Sequence, residues 1–182
     1  MPDFYPLFNS SHKLVFNQDG KPVFARVRNG TITLTLHVVG EALSDGYYPA
    51  GSTSYDFTCT LTRTAYKTFT SNRTSMVYGS WVNIGKNYWN YDTYIRLGCE
   101  YISFIYMSAS AGWRLSASII FGRSTDQSSY YDSAYPTFYW EKTSNLLVPD
   151  GDTTEKYTAN PFTNGNMRVT APSPVTLTFN ES

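Results

Sequence analysis

The segment GTITLTLHVVG, residues 30–40, sets Ile32, Leu34, Leu36 and Val38 on one side and Thr31, Thr33, Thr35 and His37 on the other. Wound into a helix, that period of two would scatter the apolar side chains around the axis. On a pleated strand it gives one dry face and one wet face. YDFTCTLTRT (55–64) repeats the pattern, with Tyr55, Phe57, Cys59 and Leu61 opposed by Asp56, Thr58, Thr60 and Thr62. GWRLSASIIFG (112–122) turns Trp113, Leu115, Ala117 and Ile119 away from Arg114, Ser116 and Ser118. TYIRLGCEYISFIYM (93–107) puts Ile95, Leu97, Cys99 and Tyr101 on one face, then changes parity so that Ile102, Phe104 and Tyr106 share one. A β-bulge near Gly98 or Ser103 would produce that shift.

Shorter strand candidates are KLVF (13–16), PVFARVR (22–28), SMVYGSWVNI (75–84), PTFYWEK (136–142), MRVT (167–170) and PVTLTF (174–179). Turn chemistry separates them. NQDGK (17–21) predicts a tight type I′ hairpin at Asp-Gly, RNG (28–30) a second turn, and SDGYYPAGS (44–52), SAG (110–112) and PDGD (149–152) loops. Many short strands at close spacing predict an all-β chain folded as an antiparallel β-sandwich, jelly-roll or Ig-like, with a partly closed β-barrel as the alternative. The expected organisation is a single β-sandwich domain over 1–182, with a polar loop excursion at about 143–165 and no fixed-period repeat.

The formal net charge is zero and charged residues make up 15% of the chain, which gives no long-range pull toward nucleic acid or anionic lipid. No apolar run is long enough for a spanning helix, so no membrane insertion is expected. The start, MPDFYPLFNSSHK, has neither a basic region nor a continuous apolar stretch, so no secretory signal is expected there. Met1 is then either the native start of a leaderless protein or an addition to a mature exported domain.

Catalytic chemistry is sparse. The two histidines, His12 in a loop and His37 on a threonine face, have no evident partner in the sequence, and histidine is the commonest general base. There is no nucleophile elbow, phosphate-cradling glycine loop or paired-histidine metal motif. A glycosidase-type carboxylate pair assembled in space would escape sequence reading. Asp150, Asp152 and Glu155 in PDGDTTE are too few for a calcium loop. The expectation is no enzyme, no cofactor and no metal. Cys59 and Cys99 both fall on dry strand faces, where they form either a cross-sheet disulfide or two buried thiols.

Aromatic residues are 17% of the chain, sixteen of them Tyr. Two loops concentrate them. GKNYWNYD (85–92) carries Asn87, Tyr88, Trp89, Asn90, Tyr91 and Asp92; SSYYDSAYPTFYW (128–140) carries Tyr130, Tyr131, Asp132 and Tyr135, with Phe138 and Trp140 read as strand core. Loop-borne rings either plug the end of a sandwich or point outward as a contact surface, since Trp and Tyr dominate binding hot spots. For a sugar, flat ring faces would lie under C–H groups while Asn87, Asn90 or Asp92 took the hydroxyls. These ten loop residues are the candidate ligand- or partner-binding set.

Two cysteines in a Thr- and Tyr-rich all-β chain ending SPVTLTFNES resemble the lectin domains of chaperone–usher fimbrial adhesins. The leaderless start looks more like a virion accessory protein, such as a phage tail or capsid-decoration component. That resemblance implies a non-enzymatic virion protein whose partners are other structural proteins or copies of itself, with host-surface contact through the aromatic loops. The adhesin resemblance implies instead an extracellular, cell-surface lectin binding host glycans. Neither implies nucleic acid as a partner.

Overall fold

The alternating segments pair with each other in the register their dry faces require. In this computed structural model, residues 4–9, 11–26, 30–63, 76–108, 112–142, 156–158, 162–171, 175 and 178–181 are described. Among them there are strands and no helix: β1 Phe4–Pro6, β2 Phe24–Arg26, β3 Gly30–Ala42, β4 Gly51–Arg63, β5 Val77–Tyr78, β6 Val82–Lys86, β7 Asp92–Ser108, β8 Gly112–Ser124, β9 Asp132–Ala134, β10 Thr137–Lys142, β11 Lys156–Thr158, β12 Phe162–Asn164, β13 Met167–Thr170 and β14 Thr178–Glu181. Two antiparallel sheets hold most of them, and no barrel closes. In one sheet β3 pairs along its whole length with β4, while β13 and β14 share its other edge, with β12 outside β13. In the other, β7 and β8 form the centre; β5 and β6 share the free edge of β7, β9 and β10 that of β8, and β11 lies outside β10. This is the expected antiparallel sandwich architecture. The two short strands β11 and β12 fall within the stretch read as a loop excursion; residues 143–155, with the candidate calcium carboxylates, lie outside the described residues.

The core is the predicted dry faces brought together. Leu34, Leu36 and Val38 of β3 and Phe57 of β4 meet Ile95, Leu97, Ile102 and Phe104 of β7, and Leu115, Ala117, Ile119 and Phe121 of β8. Phe138 and Trp140 are fully buried beside them, as their strand positions predicted. Each such side chain contributes about 1.5–3 kcal/mol by leaving water. The sheets approach closely where glycine permits it: a Cβ on Gly40 would sit 2.6 Å from the Phe121 ring, so β3 needs a bare backbone there.

The bulge in β7 lies between the two positions foreseen for it. Cys99 pairs with Ile119 and Tyr101 with Ser118, which leaves Glu100 as the extra residue. The inserted residue turns Tyr101 to the face of Ser118, not to that of Cys99 as the alternation suggested, and brings Ile102 and Phe104 back to the core. Cys99 is buried and its thiol donates to the Tyr101 carbonyl at 3.4 Å. The Cys59 side chain, the other half of the expected pair, lies outside the described residues. His37 does have a partner that sequence reading missed: Nδ1 lies 2.6 Å from Oδ1 of Asp56, directly across β3 and β4 on the wet face.

The first strands contain a repeat that composition conceals. FNSSHKLV (8–15) and FNQDGKPV (16–23) are successive units of eight residues. In each, the Asn side chain accepts from two backbone N–H groups (Ser11 and Lys13; Asp19 and Lys21), and the fourth residue after Phe, His12 or Gly20, has positive φ. Only Gly20 of the Asp-Gly pair is left-handed, so the turn is a type I turn followed by a left-handed residue, not the predicted type I′, which needs two. Leu7, Val15 and Val23 then bond in a ring: Val15 N–H to Leu7, Val23 N–H to Val15 and Leu7 N–H to Val23 carbonyls, at 2.9–3.0 Å. Two hairpins and the β1–β2 ribbon radiate from this junction, leaving Phe8, Leu14, Phe16 and Phe24 exposed.

Candidate binding site

The loop NYWNY (87–91) is built like the two N-terminal turns. Asn87 N–H donates to the Tyr91 carbonyl, Asn90 N–H donates to the Asn87 carbonyl, and Asn87 Oδ1 accepts from the N–H groups of Trp89 (3.0 Å) and Tyr91 (3.1 Å). Asn90 supplies the left-handed residue, a conformation asparagine tolerates better than most. The Asn87 amide is therefore buried inside the turn. Its role is to hold a tight loop whose two middle residues, Tyr88 and Trp89, face outward at 73% and 53% exposure. Asp92, at the base, takes Lys86 Nζ at 2.9 Å, and that hydrogen bond holds its carboxyl below the ordinary range.

A second loop completes the surface. Asp45, between β3 and β4, accepts from the backbone N–H groups of Tyr48 (2.8 Å) and Tyr47 (2.9 Å). These bonds curl SDGYYP so that both rings project from the end of the sandwich, and the Tyr48 N–H bond leads in lowering the Asp45 pKa. Tyr88 N–H donates to the Tyr47 carbonyl at 2.7 Å, tying the loops together. The rings then form a chain. Tyr47 stacks on Trp89 with planes 12° apart, Tyr88 stands edge-on to both, Tyr48 leans on Trp89 at 5.9 Å, and Tyr48 stacks on Tyr131 at 4.5 Å. Residues 47–48, 88–89 and 131 thus make one continuous aromatic platform drawn from three loops.

Beneath it lies Arg123, at the end of β8 and 1% exposed. Its guanidinium carbon is 4.7 Å from the Tyr48 ring centroid and 5.6 Å from that of Tyr131. Nη2 donates to Asp132 Oδ2 at 2.8 Å and to Asp45 Oδ2 at 3.3 Å, and Nη1 reaches the Leu43 carbonyl at 3.4 Å. Nε is buried without a hydrogen-bond partner among the described residues. One buried cation thus pins the loop carrying Asp45 to the segment carrying Asp132 and underlies two of the rings. Burial pushes the Tyr131 hydroxyl upward, against the pull of Arg123.

Tyr130 goes elsewhere. It lies across Gly122 of β8, where an added Cβ would sit 2.1 Å from its ring, and its hydroxyl accepts from Arg96 Nε (3.0 Å) and Nη2 (2.8 Å). Arg96 pairs with Gly122 on the sheet face opposite the core, and its guanidinium carbon is 4.1 Å from the Tyr78 centroid and 4.3 Å from that of Trp81. Successive tyrosines are therefore split between two arginines on opposite faces of one sheet.

Of the residues expected to bind, the structure joins Tyr88, Trp89 and Tyr131 in one surface. Tyr91 and Tyr135 are exposed but join none of these ring contacts, Asn87 and Asn90 shape the turn, Asp92 and Asp132 hold ion pairs, and Tyr130 faces Arg96. Sequence reading missed Tyr47, Tyr48, Asp45 and Arg123. Tandem tyrosines in SDGYYP were a usable signal, as was an arginine at a core-parity position of β8. Two grooves beside β4, one lined by Asp56, Val77, Cys99 and Ile102, the other by Tyr55, Gly79, Ser80 and Leu97, are about 200 and 230 Å³. Both fall below the ~300–1,000 Å³ of an ordinary enclosed small-molecule site. Comparison with protein-family models, curated proteins and solved structures finds no match.

Proposed function

We propose that this protein is a non-enzymatic structural and recognition component of a larger assembly, of the virion tail-accessory or capsid-decoration kind, which grips its partner through the aromatic loop end. The observation that carries this reading is the platform of Tyr47, Tyr88, Trp89 and Tyr131, exposed yet locked by mutual ring contacts. Rings already held in place lose little freedom on binding, so more of their contact energy appears as affinity. The N-terminal junction supports docking to neighbouring structural proteins or copies of the same chain. It exposes Phe8, Leu14, Phe16 and Phe24, and a segment below ~40 residues rarely stabilises itself without a partner. The carboxylates that converge at the loop end, Asp45 and Asp132, both face Arg123 and act as its counter-ions.

A second reading, an extracellular lectin domain binding host glycans at the cell surface, is favoured by one feature. The near-parallel Tyr47–Trp89 pair offers a flat aromatic face of the kind that sugar C–H groups cover. Light scattering of the purified chain and a glycan array, each run with the natural sequence and with Trp89→Ala, test both readings. The expected result is self-association or glycan capture that falls about tenfold in the variant, while stability changes by less than about 1 kcal/mol. A large drop in melting temperature with binding intact would make the loop a cap on the core, and both readings would fail.

A further inference from the structure

We propose that Arg96 is the anchor of a second binding site, for the carboxylate of an acidic sugar. Arg96 is half-buried, yet no carboxylate pairs with it among the described residues. Its Nε and Nη2 both donate to a single acceptor, the Tyr130 hydroxyl, which leaves the far edge of the fork, Nη1 and the second Nη2 proton, without a protein partner. The side chain is only half-buried, so part of it remains open to solvent. A desolvated cation is normally matched by an anion. Here three rings hold the charge in place, and an anion from outside can match it.

The site is built into the sheet. Tyr130 lies over Gly122 and Tyr78 over Gly98, where an added Cβ would sit 2.6 Å from the Tyr78 ring. Glycine inside a strand ordinarily costs about 0.5–1 kcal/mol relative to alanine. At both positions its bareness lets a ring lie flat on the backbone on either side of Arg96. The rings of Tyr78 and Trp81 then flank the guanidinium at 4.1 and 4.3 Å, so a ligand must enter in the plane of the fork. A planar carboxylate does so with two parallel N–H···O bonds, whereas a tetrahedral phosphate sends oxygens above and below the plane toward the rings. The same rings, with Tyr78 exposed at the surface, extend as flat walls against which a pyranose ring continues the contact.

This inference goes beyond the platform reading and does not rest on it, because Arg96 faces away from Trp89 across the sheet. The test follows the Arg96 Nε–H resonance of the 15N-labelled full chain during titration with sodium glucuronate, glucose, N-acetylglutamate amide and inorganic phosphate. Arg96→Lys assigns the resonance and, read through backbone amides, serves as the binding control, keeping the charge while losing the fork. Glucuronate is expected to shift it saturably in the millimolar range, with glucose silent and phosphate and the glutamate derivative at least about tenfold weaker. Arg96→Lys is expected to fold normally and to weaken glucuronate about tenfold. Absence of a saturable shift, undiminished binding to Arg96→Lys, or phosphate or the glutamate derivative binding as tightly as glucuronate would each overturn the proposal. Trp89→Ala leaves this titration unchanged, which separates it from a failure of the platform reading.

Discussion

Arg123 and Arg96 sit one register step apart on neighbouring strands, since Ile95 pairs with Arg123 and Arg96 with Gly122, and both lie against tyrosine rings. Their surroundings differ in one respect. Arg123 points into the core side of the sheet, is 1% exposed, and meets Asp45 and Asp132; Arg96 points to the other side and meets only rings and a hydroxyl. A fully buried charge must be neutralised within the fold, and the neutralising carboxylates come from the β3–β4 loop, at Asp45, and from the neighbouring strand β9, at Asp132. A half-buried charge retains some water and can be left without a counter-ion. The first arrangement serves as a fastener under the aromatic platform, and the second leaves one edge of the guanidinium without a protein acceptor.

The sharpest way to break this comparison is to remove each arginine. Arg123→Ala leaves two carboxylates facing each other without their cation and should cost about 3 kcal/mol in urea unfolding. Arg96→Ala loses ring contacts and two charge-assisted hydrogen bonds to a neutral hydroxyl but strands no carboxylate, and should cost about 2 kcal/mol. Equal costs would show that the carboxylates around Arg123 contribute little. Gly122→Ala should come next, at about 1–3 kcal/mol, because Tyr130 must leave the sheet, and the Arg96 Nε–H resonance should shift with it. Asn87→Ala removes two hydrogen bonds inside the turn and should cost about 1–2 kcal/mol, with faster amide exchange at Trp89 and Tyr91. The smallest effect is that of pH. The Asp45 pKa is lowered from 3.8 in the fold, so its contribution is complete above the unfolded value and is lost as pH falls through the lower, folded one. Stability should therefore be flat with respect to Asp45 from about pH 5 to 8 and decline below about pH 4, with a smaller decline in Asp45→Asn.

Much of the sandwich was legible in the chain. The strands from β3 to β8, and β10, follow alternations that can be read by eye, and the parity change in β7 announced a bulge; β9 falls in a stretch read as a loop. The hairpin turns were only half legible. Asp-Gly at 19–20 pointed to the right place and the wrong turn type, because one left-handed residue and an Asn side chain do the work that a type I′ turn divides between two left-handed residues. The same Asn-led turn recurs at Asn9, Asn17 and Asn87, and laying those stretches side by side would have shown Asn87 to be a turn former.

The sequence by itself determined which faces of the long strands are dry and where loops carry rings, because side-chain alternation and turn chemistry act over a few neighbouring residues. Only the tertiary structure decided which rings meet. Tyr48 reaches Tyr131 across eighty-three positions (131 − 48), and Asp45 reaches Arg123 across seventy-eight. It also decided that neighbouring Tyr130 and Tyr131 serve different arginines on opposite faces of the sheet. The reason is physical: a buried charge selects its counter-ions by position in space, and strand pairing, not chain distance, sets that position.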